Sequence, residues 1–175
     1  IKLNGADYII IEGSNNGWVL GSATSGFNIN EWNNWNHSGY PILGTRSLYV
    51  ASSVDAGINY IPNYTDSMYT DIIAHTTINA RGKINLTLEF KWKCVGEPDF
   101  DYGQVGFSTD SGKTYNWFSN GGFNNSGYFH SQATAVTQIY YLPDSLSNRN
   151  FTIGFRWINN IYINGISGLG NNLFQ

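Results

Sequence analysis

Apolar and polar positions alternate without a break from Ile84 to Cys94. Ile84, Leu86, Leu88, Phe90, Trp92 and Cys94 fall on one side, and Asn85, Thr87, Glu89, Lys91 and Lys93 on the other. A period of two sends successive side chains to opposite faces of an extended strand, so one face is expected in a core and the other in water. After an acidic loop, Val105 and Phe107 resume the alternation. Phe151, Ile153, Phe155 and Trp157 against Thr152, Gly154 and Arg156 repeat it. Two half-buried faces, 84–94 and 151–157, predict two sheets packed face to face.

Shorter runs add strands at Asp7–Glu12, Trp18–Leu20, Arg46–Ala51, Met68–Ile78, Thr134–Leu142 and Ile161–Ile166. Turn residues separate them, at Gly13–Gly17, Asn79–Lys83, Ser108–Tyr115 and Asn120–Gly127. No stretch supports a helix of three turns. Roughly eight to ten strands at this spacing predict an all-β chain, an antiparallel two-sheet β-sandwich of jelly-roll type. The expected organisation is a single domain over residues 1–167 and a trailing linker over 168–175. Gly21–Thr45 breaks the pattern. It is rich in Asn, Trp and Gly with neither period, and reads as a long surface excursion.

Composition narrows the class. A chain of 175 residues suits one domain with a substantial core. A net charge of −3 offers no basic footprint for nucleic acid. No apolar run reaches the roughly 18 residues of a spanning helix, so no membrane insertion is expected. The opening at Ile1 rather than Met leads to the expectation of a mature or excised piece of a larger secreted protein. One cysteine excludes an internal disulfide, and Cys94 continues the buried face of its strand, which reads as inert packing.

Candidate chemistry gathers in turns. Ser108-Thr109-Asp110-Ser111-Gly112-Lys113-Thr114-Tyr115 fits the Asp-box pattern S-x-D-x-G-x-T-aromatic. An Asp there can bond the amides of its own turn, Gly supplies positive φ, and the aromatic tucks beneath, so the structural role is the favoured one. Glu97, Asp99, Asp101 and Gly103 form an acidic loop. Ca²⁺ takes six to eight oxygens, and such loops supply several from a short segment. The alternative is a solvated acidic turn. Calcium would need distant oxygens from residues such as Glu12, Asp55, Asn159 or Asn160.

Trp32, Trp35 and Tyr40 in the excursion, with Trp117, could stack on sugar rings. The competing and favoured reading for the three in the excursion is that they pin the segment to the sandwich. Catalytic patterns are sparse. His37, His75 and His130 lie far apart in sequence, and neither H-E-x-x-H nor G-x-S-x-G occurs. The chain is therefore expected not to be an enzyme. A small jelly-roll hydrolase or lyase would need paired acids, or a His–Tyr pair, in one cleft. Sequons stand at Asn36, Asn63, Asn85, Asn124 and Asn150.

The order of these pieces resembles the MAM-like jelly-roll domains of secreted bacterial proteins, the group of cleaved-adhesin and "choice-of-anchor" domains. The likeness runs through Ile11-Glu12-Gly13 with Gly17-Trp18, then Gly44–Tyr49, Asp66–Thr70 and Leu86–Trp92. Asp101-Tyr102-Gly103-Gln104-Val105 with Ser108-Thr109-Asp110 is its most specific part, and Phe151–Trp157 closes it. The resemblance implies a non-catalytic adhesion or accessory module at the cell surface or outside the cell. It implies structural Ca²⁺ with ligands at Glu12 and Asp101, to which the acidic-loop reading adds Asp99 and Asn160, and a surface glycan or protein as partner. Where the family closes on a D-D/N-(I/V) strand, this chain has Asn159-Asn160-Ile161 or Asn164-Gly165-Ile166, one carboxylate fewer. The alternative expectation is a carbohydrate-binding module of a secreted polysaccharide-degrading enzyme.

Overall fold

The computed structural model describes residues 2–5, 7–10, 17–21, 30–35, 47–52, 70–95, 101–159 and 172–174. Twelve strands are found there: β1 (Lys2–Gly5), β2 (Asp7–Ile10), β3 (Trp18–Val19), β4 (Asn30–Trp35), β5 (Ser47–Ser52), β6 (Thr70–Asn79), β7 (Thr87–Cys94), β8 (Asp101–Ser108), β9 (Asn116–Trp117), β10 (Gln132–Tyr141), β11 (Asn150–Asn159) and β12 (Asn172–Phe174). No α-helix occurs among the described residues. The strands form two antiparallel sheets, a β-sandwich as the alternation predicts. One sheet runs β2-β1-β7-β12-β5-β4, with β10 on the other edge of β7; the second runs β3-β6-β11-β8-β9.

The two alternating faces meet as expected. Leu88, Phe90, Trp92 and Cys94 from β7 are buried against Phe151, Ile153, Phe155 and Trp157 from β11. The Phe90 and Phe155 rings join the layers edge to face at 5.3 Å. Phe129 packs edge-on to Trp92 at 4.7 Å. Each such side chain contributes about 1.5–3 kcal/mol on leaving water. Cys94 is fully buried among them.

Three sequence expectations are corrected. Ile84 is 63% exposed, not in the core. Asn85 turns the backbone to a φ of 54°, so β7 begins only at Thr87 and Ile84 lies outside the pleat. The excursion 21–45 contains a strand, β4, paired along β5 from Asn30↔Ser52 to Trp35↔Ser47. Residues Asn172–Phe174, read as trailing linker, form β12 and pair with both β5 and β7. Three residues are too few to show a period, and only a slot between two strands makes them extended. The strand expected at Ile161–Ile166 lies outside the described residues.

Candidate functional site

The Asp box folds as the hairpin lock its residues dictate. Asp110 Oδ1 accepts from the amides of Lys113 at 3.1 Å and Thr114 at 2.9 Å, while Oδ2 accepts from the Thr114 hydroxyl at 2.6 Å. The Ser108 hydroxyl donates to Asp110 Oδ1 at 2.7 Å and accepts from the Gly112 amide at 2.8 Å. The Thr114 and Ser108 side chains, in that order, hold the Asp110 carboxyl far below the usual carboxylate range. Ser111 and Gly112 take the positive φ values that close the turn.

This lock aims the following residues across the solvent-facing side of the β3-β6-β11-β8-β9 sheet. Register arranges that side in rows: Gly106, Gly154 and His75; then Gln104, Arg156 and Ile73; then Tyr102, Ile158 and Asp71. The neighbouring glycines of the first row leave a depression, and Tyr115 and Trp117 lie in it. A Cβ on Gly154 would collide with the Tyr115 ring, and one on Gly106 would meet Trp117 Cε3 at 2.7 Å. At the far end, Tyr115 Oη and His75 Nδ1 are hydrogen-bonded at 2.6 Å. Burial lowers the His75 pKa and raises that of Tyr115, with the Asp110 charge adding to the rise. Both groups are thus neutral at neutral pH, and the tautomer of the imidazole sets which of the two donates.

Trp117 is stacked by Tyr115 at 4.9 Å, with 16° between the planes, and carries the Arg156 guanidinium 5.5 Å from its ring centroid. Arg156 in turn bonds Asp71 through both nitrogen arms, at 2.7 and 2.5 Å, and Gln104 Oε1 at 3.0 Å. The pairing follows from position: Gln104 sits directly across from Arg156, and Asp71 one diagonal away, within reach of a long side chain. The charged pair is part-exposed, at 24% and 30% of the side chains. Its forked geometry fixes the guanidinium beside the indole. An aromatic pair, a fork of donors and acceptors, and an imidazole–phenol pair therefore share one face.

Of the residues singled out in the sequence, Trp117 lies in this cluster. Trp32 does not, and the stacking role is corrected: it is 2% exposed, and its indole N–H donates to the Ile72 carbonyl at 3.1 Å. A ring enclosed between the sheets offers no face to a sugar. Trp35 ends β4 opposite Ser47, with its side chain outside the described set; Tyr40 lies outside it too. Of the metal candidates, Asp101 is 8% exposed and registers with Asn159, which is 1% exposed. Both side chains thus share the core-facing side at one end of the sheet. Glu12, Asp99 and Asn160 are outside the described residues. Among those described, no group of three or more His, Cys, Asp or Glu converges to hold a metal ion.

Sequence reading missed His75, Arg156, Asp71 and Gln104 as neighbours of Trp117. A signal was present: Gly106 and Gly154 interrupt strand patterns, and a glycine inside a strand marks a place where something approaches closely.

No protein-family model matches the chain, and no curated protein matches it. Among solved structures the chain is similar to the enzymatically active domain of tailspike protein 4 of bacteriophage CBA120. The identity is 10% and the TM-score 0.45, over 91% of this chain and 20% of the tailspike chain.

Proposed function

We propose that this chain is a non-catalytic binding module, of the MAM-like jelly-roll kind, that recognises glycan outside the cell or on a cell surface as one part of a larger secreted protein. The observation that carries the reading is the Trp117–Arg156–Asp71–Gln104 cluster on the outer face of a rigid sheet. Carbohydrates present apolar ring faces and hydroxyls together, and this cluster sets the half-buried Trp117 indole, braced by Tyr115 and Arg156, beside donors and acceptors. Its parts hold one another in place, so little side-chain freedom remains to be lost on binding.

Calcium fits as a structural clamp. Asp101 and Asn159 are hard oxygen donors side by side on the core-facing side of the sheet. Glu12, Asp99 and Asn160 are the residues proposed to complete the shell. When bound, the ion would tie the acidic loop to the end of β11.

Calorimetric titration against a panel of polysaccharides tests the binding reading. Binding by the parent protein, weakened about tenfold or more in Trp117→Ala, is the expected result, the size of one aromatic contact with its neighbours. Silence across the panel, or affinity indifferent to Trp117, would sink it.

A second reading draws on the His75–Tyr115 pair, the feature a small jelly-roll hydrolase or lyase would need. The pair closes the Asp-box hairpin onto the sheet, which is sufficient reason for it to exist. Polysaccharide turnover lost in Tyr115→Phe, with folding intact, would favour the catalytic reading instead.

A further inference from the structure

The outer face holds a second aromatic station. Tyr102, in the row beyond Arg156, meets Tyr128 edge to face at 4.6 Å, and Tyr128 is 40% exposed. The segment carrying Tyr128 is fastened to the edge of β8, since Gly103 and Phe129 exchange backbone hydrogen bonds at 2.9 Å. Trp117 pairs with Gly106 on that same strand. Four residues separate Tyr102 from Gly106, which at about 3.3 Å per residue places the two stations roughly 13 Å apart. Between them lies the row of Gln104 and Arg156, whose guanidinium reaches diagonally to Asp71 in the Tyr102 row and completes a polar belt.

We propose that this strip binds an uncharged, extended oligosaccharide about three pyranose rings long, laid along β8 and β11. The claim rests on the outer-face reading above and gives it a ligand class and a length. Aromatic, polar, aromatic is the order in which such a chain would present ring face, hydroxyls and ring face. The belt sets the charge preference. The Arg156 charge is met by the Asp71 carboxylate in a two-armed pair, so a uronate finds the cation already matched and an anion beside it. A chain with only hydroxyls meets no such repulsion and can use both partners. Each station is braced, Trp117 by Tyr115 and Tyr102 by Tyr128, so the spacing is set before the ligand arrives.

Titration with neutral β-1,4-linked gluco-, manno- and xylo-oligosaccharides of increasing length, beside oligogalacturonates, tests this. For at least one neutral series the affinity should climb up to about three rings and then level off. Tyr128→Ala should cost about tenfold for the trisaccharide and little for the disaccharide, whereas Trp117→Ala weakens both. Because Tyr128 is exposed, circular dichroism is expected to show the variant folded, and Tyr128→Leu, which keeps bulk without a ring, gives a second check. If Trp117→Ala abolishes binding while both Tyr128 variants match the parent at every length, the two-station strip is wrong and the outer-face reading survives. Tighter binding of oligogalacturonates than of every neutral series overturns the ligand class. Absence of binding to any of these, and to the wider polysaccharide panel, overturns both readings together.

Discussion

At the scale of single residues, protonation is the sharpest handle. The folded Asp110 keeps its proton off far below the usual range, whereas the unfolded carboxyl takes one near 3.8. Unfolding therefore binds a proton in acid, so this stabilisation is complete above about pH 4 and is lost as pH falls toward the depressed folded value. His75 follows the same sign at higher pH. Its folded pKa is lowered from 6.5, so stability declines as pH drops below that value toward the folded one. Thermal melts from pH 8 to pH 2 should show both declines. Asp110→Asn is expected to lower Tm at neutral pH and flatten the acidic decline. His75→Gln, which keeps a partner for Tyr115, should remove the upper one.

At the scale of elements, the glycine row of β8 and β11 and the small strand β12 each have a defined consequence. Gly154→Ala puts a methyl group into the Tyr115 ring, and this overpacking should cost about 1–3 kcal/mol in urea unfolding and loosen the His75–Tyr115 bond. Loss comparable to an ordinary surface change would show that the ring is free to move aside. β12 is the only described link by which β5 and β4 join β7 within their sheet. Deleting residues 172–175 should lower Tm and expose the amides of β4 and β5 to hydrogen exchange ahead of those in β7. Equal protection in the truncated and full chains would contradict that place in the sheet.

For the whole molecule, the test is linkage to calcium. A ligand that binds only the folded state adds about 2.7 kcal/mol at a hundred times its Kd. Saturating Ca²⁺ should raise Tm, chelator should reverse the rise, and Asp101→Asn should abolish the response while leaving the sandwich folded. A melt indifferent to both calcium and chelator would remove the clamp and leave the sugar-binding proposal standing, since Asp101 and Asn159 face the core while the strip lies on the outer face of the sheet. Most of the fold was legible because each long strand carries its own evidence: 87–94 and 150–159 alternate, and alternation specifies a face wherever it occurs. The site was legible only at Trp117 and at the Asp box, whose hydrogen bonds span a few residues. The remainder of the cluster comes from three strands distant in the chain: Arg156 meets Asp71 across 85 positions and Gln104 across 52, and His75 meets Tyr115 across 40. No local pattern encodes which of them become neighbours.

The chain's own order of residues determined that it forms strands, that two apolar faces need each other, and that Asp110 closes a turn. These follow from periods and side-chain chemistry that act over two to eight positions. Tertiary structure alone decided that Trp32 points inward, that Asn172–Phe174 extends into a gap between β5 and β7, and that two glycines seat a tyrosine and a tryptophan beside a forked arginine. The reason is register. Which residue stands across from which is fixed by the pairing of whole strands, and a shift of one position would send every one of those side chains to the opposite face.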